Sequence, residues 1–264
     1  MILFIDLDGT LVGPRGVHER VWPALAELRA AGWRLAVCTG RPGRGIACDI
    51  ARRLDPDGLH VFESGAVVMG PRGVIAHQAI APAVVAEVAA LGVQRGITLE
   101  AYTADGRYLV RERNDYVARH EQLLGFASDT VAWPPTSETI VRLQWVLPHA
   151  DWPAFKAQMG VLIGVHEGRS PRMPDVSFVS MTTLGVSKAT GVRVVLAHFG
   201  LTRHAAAMAG DNLNDLEAFD EVAEVFVPRD GAPAALARAT RVIGEPQHGG
   251  VADAVPWLLA PRPT

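Results

Sequence analysis

Hydrophobic residues open the chain as an unbroken run. Residues 1–5, Met-Ile-Leu-Phe-Ile, have no polar position among them. A strand without alternation predicts burial on both faces of a parallel sheet. The run ends in Asp6-Leu7-Asp8-Gly9-Thr10. Residues 12–20 hold Gly13, Pro14 and Gly16 and predict a loop. The period then changes: Val21, Leu25, Leu28 and Ala31 are apolar at helical spacing, and Gly32 predicts the helix stop. Residues 33–38 form a second apolar run that ends in Thr39-Gly40-Arg41-Pro42. Strand, helix and strand in this order predict a βαβ unit with parallel pairing and a right-handed crossover. A helix is expected near residues 45–54. A third apolar run follows at 59–62, then Glu63-Ser64-Gly65-Ala66. Residues 67–69 and 74–76 predict a hairpin across Gly70-Pro71-Arg72-Gly73.

From about residue 80 the pattern is a mixture. Pro82 opens a helical stretch to residue 90, and strands are expected at 97–102 and 108–112 across Ala104-Asp105-Gly106. After a loop at Pro134-Pro135 come a strand at 139–147, a helix at 152–159 and a strand at 161–166. The longer apolar runs then return. Gly185-Val186-Ser187-Lys188 leads into a helix at 189–199, and the apolar run to Ala209 ends in Gly210-Asp211-Asn212-Leu213-Asn214-Asp215. A strand at 225–227, a helix at 232–239, a strand at 241–243 and a last helix after Gly249-Gly250 complete the pattern.

Composition narrows the class. At 264 residues, the chain fits one large or two modest domains. With 49% hydrophobic and 20% charged residues it can bury an ordinary core. A net charge of −3 makes no electrostatic case for nucleic acid or an anionic membrane. Two cysteines, Cys38 and Cys48, form no disulfide framework or zinc cluster, and Cys38 reads as a small buried hydrophobe. No apolar stretch is long enough to span a bilayer, and no leader precedes the first aspartate, so a cytoplasmic location is expected.

The candidate chemistry begins at the first strand's end. Residues two apart on a strand point the same way, so Asp6 and Asp8 can project together at the carboxyl edge, where open α/β sheets bind ligands. Neighbouring carboxylates repel unless one takes a proton or a cation sits between them. Mg²⁺ suits oxygen ligands and needs only one or two carboxylates. One aspartate is then free to act as a nucleophile and the other to move protons. The competing reading is a turn after a strand, with Asp-Gly as its turn chemistry. Thr39 offers a hydroxyl to an anion, or else caps the following helix. Lys188 sits near a helix start, where it is either ordinary solvated surface or, since the dipole there disfavours a cation, held for an anion. The Asn/Asp-rich stretch at 210–215 is a turn or a metal loop, but its spacing excludes an EF-hand.

Taken together these stretches resemble the four motifs of the haloacid dehalogenase-like superfamily, most of whose members are Mg²⁺-dependent phosphatases. Asp6-Leu7-Asp8-Gly9-Thr10 resembles the first, Thr39 the second, Lys188 the third and Gly210-Asp211-x-x-Asn214-Asp215 the fourth. The likeness spans nearly the whole chain. It implies a doubly wound parallel-sheet core at residues 1–78 and 183–264. Residues 79–182 resemble the large αβ cap inserted between the second and third motifs in the Cof-like and sucrose-phosphatase-like branch. By the resemblance, Asp6 attacks phosphorus to form an aspartyl-phosphate, and Asp8 protonates the leaving alcohol and then deprotonates water. Asp6, the Asp8 carbonyl and Asp211 hold Mg²⁺, with Asp215 in or beside the first shell. Thr39, Gly40, Lys188 and Asn214 bind the substrate, Thr39 and Lys188 at its phosphoryl group. The implied substrate is a small phosphate ester, first of all a sugar or polyol phosphate. Pyridoxal phosphate and a nucleotide are alternatives, and no nucleic-acid or membrane partner is implied. Two departures stand out: Ser64, where relatives often have Asn, and Arg229-Asp230-Gly231-Ala232, where they usually show Asn-Ala.

Other readings remain open at this point. A phosphomutase shares the nucleophile but returns the phosphoryl group to sugar. A binding protein on an inactive scaffold is weighed against by the intact Asp6, Asp8, Lys188 and Asp211. A nicotinamide enzyme lacks its glycine fingerprint after the first strand. Arg111 and Arg113 are expected two apart on a cap strand, where they share a face that meets either solvent or an acidic leaving group.

Overall fold

The computed structural model describes residues 1–156, 163–170 and 173–260. Its elements begin with β1 (Ile2–Ile5), β2 (Val12–Gly13), β3 (Gly16–Val17), α1 (Val21–Ala30), β4 (Arg34–Val37), α2 (Gly45–Leu54), β5 (His60–Phe62), β6 (Val67–Gly70) and β7 (Gly73–His77). Next come α3 (Pro82–Gln94), β8 (Thr98–Thr103), β9 (Tyr108–Val110), α4 (Asp115–Leu124), β10 (Asp129–Thr130), β11 (Ile140–Pro148), α5 (Trp152–Lys156), β12 (Gly164–Ser170) and β13 (Met173–Thr182). The chain closes with α6 (Lys188–His198), β14 (Ala206–Ala209), α7 (Leu216–Phe219), β15 (Glu224–Pro228), α8 (Pro233–Leu236), β16 (Arg241–Ile243) and α9 (Ala254–Leu259). Two compact units result. One comprises Met1–Arg41, Ala47–Ile75 and Ser187–Thr264; the other comprises Pro42–Ile46 and Ala76–Val186.

The first unit is built on a parallel five-stranded sheet in the order β16-β15-β14-β1-β4. Every residue of β1 and β14 is buried, as the unbroken apolar runs require. In chain order the sheet grows from β1 to β4 on one side and from β14 to β16 on the other. The order reverses between β1 and β14, and that reversal is where open α/β sheets form their ligand crevice. β4 is an outer strand, and side chains rather than another strand occupy two of its outward N–H groups. Leu35 N–H donates to Asp55 Oδ2 at 3.2 Å and Val37 N–H to His60 Nδ1 at 3.1 Å. His60 Nε2 lies 2.9 Å from the Asp55 carbonyl, so Nε2 carries the proton and Nδ1 accepts. Burial holds the His60 pKa below its ordinary value, which favours that neutral form.

The second unit carries a six-stranded sheet in the order β10-β9-β8-β11-β13-β12. Its pairs are antiparallel except β9 with β10. Alternation gives it two distinct faces. Leu99, Ala101, Leu109, Leu143, Trp145, Leu147, Val179 and Met181 pack with Val85 and Val88 of α3. Glu100, Tyr102, Tyr108 and Gln144 project from the opposite face, and all are buried. There α4 contributes Val117 and Leu124 beside Tyr102, Tyr108 and Val110.

Several expectations change. The loop at 12–20 contains the short antiparallel pair β2 and β3. Helix α3 runs to Gln94 rather than 90, and α8 stops at Leu236. Strand β9 ends at Val110, so Arg111 and Arg113 do not share a strand face. Instead Arg113 donates to Glu121 Oε2 at 2.6 Å. Helix α4 was not expected; Asn114 caps it by accepting from Val117 N–H at 3.0 Å, and Gly125 ends it at φ 82°. Residues 157–159 of the expected helix and 161–162 of the expected strand lie outside the described residues. No helix among the described residues is long and apolar enough to cross a membrane.

Candidate active site

The site is assembled from the carboxyl ends of three adjacent parallel strands. Asp6 follows β1, Thr39 follows β4 by two residues, and Asp211 follows β14 by two residues, so two of them flank the switch point. The chain leaves β1 through a tight turn in which Leu11 N–H donates to the Asp6 carbonyl and Val12 N–H to the Leu7 carbonyl. Gly9 sits in this turn at φ 81°, in the left-handed region. A Cβ there would lie 2.4 Å from Asp211 Oδ2. Only glycine therefore lets the first loop close against the fourth.

Asp6 is buried, and its Oδ1 accepts from Leu7 N–H at 2.8 Å and from Lys188 Nζ at 2.8 Å. Lys188, the first residue of α6, is itself buried and donates to Asp215 Oδ1 at 2.7 Å. Asp215 Oδ2 accepts from the N–H groups of Asp211 and Asn212, each at 3.0 Å. Thr10 Oγ1 donates to Asp211 Oδ1 at 2.9 Å. Oxygens of Asp6, Asp211 and Asp215 lie within 4.8 Å of one another.

Asp6 and Asp215 share one lysine, with Asp211 beside them, and the ionisation of Asp6 and Asp211 reflects the crowding. Burial raises the Asp6 pKa well above the usual carboxylate range; Lys188 opposes the rise, while Asp215 and Asp211 add to it. Burial and the Asp215 charge push Asp211 up to about 6, against the Thr10 hydrogen bond and Lys188. Burial works against the charge on Lys188, but Asp215 and Asp6 outweigh it and its pKa is raised. Excess negative charge on hard oxygen donors, with no His or Cys in the cluster, fits a Mg²⁺-sized cation.

Asp8 stands apart from that cluster. Its side chain is 59% exposed and forked onto Arg41, with Nε at 2.7 Å from Oδ2 and Nη2 at 2.6 Å from Oδ1. Thr39 is buried; its Oγ1 accepts from Arg41 N–H at 3.2 Å. Gly40 follows, and a Cβ there would meet Ser64 Oγ at 3.2 Å. Asn214 is exposed in the turn at 213–215 and makes no hydrogen bond to the Asp6, Lys188 and Asp215 group among the described residues.

The loop at 63–65 locks two of these pieces in place. Glu63, Ser64 and Gly65 all have positive φ, at 52°, 55° and 98°. Glu63 N–H donates to the Arg41 carbonyl and Ser64 N–H to the Thr39 carbonyl, each at 3.0 Å. A Cβ on Gly65 would fall 1.8 Å from the Ser187 carbonyl oxygen, so the loop abuts the start of α6. The departure at 229–232 lies against Asp211, whose carbonyl accepts from Ala232 N–H at 2.8 Å. Thr10 lies within the first motif and Arg41 two residues after Thr39, and the sequence alone assigns neither a contact. Cys38 is fully buried, as expected of a small hydrophobe.

A sequence model of haloacid dehalogenase-like hydrolases matches residues 3–255. A curated Streptococcus pyogenes serotype M6 protein, provisionally named a phosphatase, is 24% identical over 98% of both chains. Solved structures share the fold throughout. A haloacid dehalogenase-like hydrolase from Bacteroides thetaiotaomicron superposes with a TM-score of 0.85 at 20% identity, covering 98% of this chain and 99% of that one. A structure described as a subclass IIB sugar phosphatase gives 0.82 at 20% identity, covering 97% and 98%.

Proposed function

The chain belongs to the haloacid dehalogenase-like hydrolase family, and from that premise we propose that it is a Mg²⁺-dependent phosphatase acting on a small phosphorylated metabolite. The observation that carries this reading is the Asp6 carboxylate itself. Its Oδ1 is held by Leu7 N–H and Lys188, while Oδ2 makes no hydrogen bond among the described residues. An oriented carboxylate with one oxygen available is a nucleophile aimed from a buried site.

The residues divide the work by position. Asp6 Oδ2 attacks phosphorus, and the ester P–O bond breaks as the Asp6–phosphoryl bond forms. Asp8 gives its proton to the departing alkoxide. In the second half, water attacks phosphorus, Asp8 takes the proton, and the bond to Asp6 breaks. Lys188 neutralises charge on Asp6 and on the phosphoryl oxygens, and Thr39 donates its hydroxyl to one of them. Asp6 and Asp211, with the Asp8 carbonyl, would hold Mg²⁺, and Asp215 orients the loop that carries Asp211. When bound, the ion would offset the carboxylate charge and polarise the phosphoryl group. A sugar or polyol phosphate is the proposed substrate class; a fold relative described as a sugar phosphatase supports that choice.

The test is a panel of phosphorylated metabolites assayed with and without Mg²⁺, alongside Asp6→Asn. We expect turnover of one or more sugar or polyol phosphates, loss on EDTA treatment, and restoration by Mg²⁺. Asp6→Asn should fold normally and be inactive. Wild-type activity in that variant, with deamidation excluded, removes the nucleophile assignment; full activity in metal-free enzyme removes the metal.

A further inference from the structure

We propose that Arg41 is a positioning residue that holds the Asp8 carboxylate for proton transfer to the leaving oxygen. The inference rests on the reading of Asp8 as the acid, and it goes beyond that reading by saying what aims the acid.

Three features of the structure lead here. First, the contact is a two-point fork, Nε to Oδ2 at 2.7 Å and Nη2 to Oδ1 at 2.6 Å. A planar guanidinium engaging both oxygens fixes the orientation of a carboxylate, whereas a point charge fixes only its distance. Second, the two partners differ in exposure. The Arg41 side chain is 16% exposed and Asp8 59% exposed. The arginine is the anchored member, and Asp8 presents the rest of its surface outward. Third, the Arg41 backbone is pinned on both sides. Its N–H donates to Thr39 Oγ1 at 3.2 Å, and its carbonyl accepts from Glu63 N–H at 3.0 Å. Glu63 makes that bond at a positive φ, a conformation that non-glycine residues keep only where their surroundings impose it. The fold thus maintains a strained turn at the point that locates Arg41.

The consequence is a division of carboxylates. Asp6, Asp211 and Asp215 crowd together around Lys188, whereas Asp8 is drawn out of that group by its own cation. An acid meant for the leaving oxygen has to stay apart from the oxygens that would hold a metal. In the first half-reaction Asp8 loses its proton to the alkoxide, and the anion that remains is received by the Arg41 fork. Without the fork, the Asp8 side chain is free to rotate and spends less time aligned.

The experiment uses leaving groups of different basicity. The full-length enzyme with Mg²⁺ is assayed on 2,4-dinitrophenyl, 4-nitrophenyl and phenyl phosphate and on glycerol 2-phosphate. The parameter is kcat/KM, which ends at formation of the Asp6 adduct and so excludes the later activation of water. A departing dinitrophenolate needs no proton, whereas an alkoxide does. General acid catalysis contributes about 10²–10⁴-fold. Arg41→Ala should therefore lose about tenfold or more on glycerol 2-phosphate and less than threefold on the dinitrophenyl ester. Arg41→Lys, which keeps the charge without the fork, should fall between wild type and Arg41→Ala. Asp8→Asn should show the same trend more steeply, and the double variant should be no worse than Asp8→Asn alone.

Equal losses across the series, or additive losses in the double variant, overturn the role of Arg41. A flat series for Asp8→Asn removes the acid, and the inference falls with it. A steep series for Asp8→Asn with a flat one for Arg41→Ala removes Arg41 alone. If Arg41→Ala fails to fold, Arg41→Lys carries the same comparison, and a flat loss there counts against the proposal.

Discussion

At the scale of single residues, the site depends on atoms that are missing as much as on those present. Gly9 leaves the space that the Asp211 carboxylate fills, and Gly210 does the same for Asp215, because a Cβ there would lie 2.6 Å from Asp215 Cγ. Lys188 is the counterweight. Its ammonium is within 2.8 Å of Asp6 and 2.7 Å of Asp215, with all three buried. Removing one member of a buried charged group leaves its partners uncompensated, at a cost of about 3–5 kcal/mol. Lys188→Met keeps the length of the chain and removes the charge. We expect it to be inactive and, in urea denaturation with EDTA at neutral pH, less stable by roughly that amount. A loss below about 1 kcal/mol would mean that another group compensates the pair. Asp6 and Asp211 draw notice in the sequence because each follows an apolar run by no more than two residues, where strand ends can be placed without knowing the fold, whereas Lys188 and Asp215 are singled out only through the motif resemblance. Neither route reaches the contacts of Thr10 and Arg41. A hydroxyl that bonds a carboxylate 201 positions away, and a fork made by two loops, become visible only once the strands are paired.

Elements explain why some of the pattern was readable and some was not. β1 and β14 are buried on both faces and announce themselves as unbroken apolar runs. Helix α4 does not, because its buried residues are Val117, His120, Glu121 and Leu124, two of them polar. His120 and Glu121 are buried there with partners supplied by other elements. Glu100 of β8 receives Nδ1 of His120 at 2.9 Å to both oxygens, Tyr102 Oη at 3.0 Å, Tyr108 Oη at 2.6 Å and Gln144 Nε2 at 2.6 Å. Periodicity scores such positions as polar and therefore exposed, which is why the helix went unseen. The same cluster predicts a pH effect. Burial alone would raise the Glu100 pKa, but the charge and hydrogen bond of His120 and the bonds from the two tyrosines outweigh it and hold it below its ordinary value of 4.5. A depressed carboxylate stabilises the fold above its unfolded pKa, and that contribution is lost as pH falls through the folded value. Glu100→Gln should therefore be less stable than wild type at pH 7, with the difference narrowing below about pH 4.5. Hydrogen exchange across α4, β8 and β9 from pH 7 to pH 3 checks this. A difference that stays constant with pH would show that Glu100 acts by packing rather than by charge. The strained turn at 63–65 follows the same logic: Ser64 occupies a left-handed position that asparagine tolerates better, which gives the departure from the family pattern a physical meaning.

For the molecule as a whole, the fold is set by strand order, and the proposed Mg²⁺ site predicts an effect on its stability. Structures at 20% identity superpose over nearly the entire chain, so the fold tolerates a different residue at most of its positions. A ligand that binds only the folded state stabilises it, by about 2.7 kcal/mol at a concentration 100 times its Kd. For a domain of 150–250 residues that corresponds to roughly 5–10 °C in Tm. The transition that unfolds the unit holding Asp6, Asp211 and Asp215 should respond to Mg²⁺. The variants divide by geometry. Asp211→Asn removes a clustered carboxylate and should abolish most of the shift. Asp8→Asn should retain it, because the Asp8 side chain lies on Arg41 outside the cluster and the substitution leaves the Asp8 carbonyl in place. Each shift is measured against the same variant in EDTA, so that the broken ion pair with Arg41 does not enter. If Asp8→Asn loses the Mg²⁺ shift while Asp211→Asn keeps it, the Asp8 carboxylate must leave Arg41 to hold the ion, and the separation of acid from metal ligands fails.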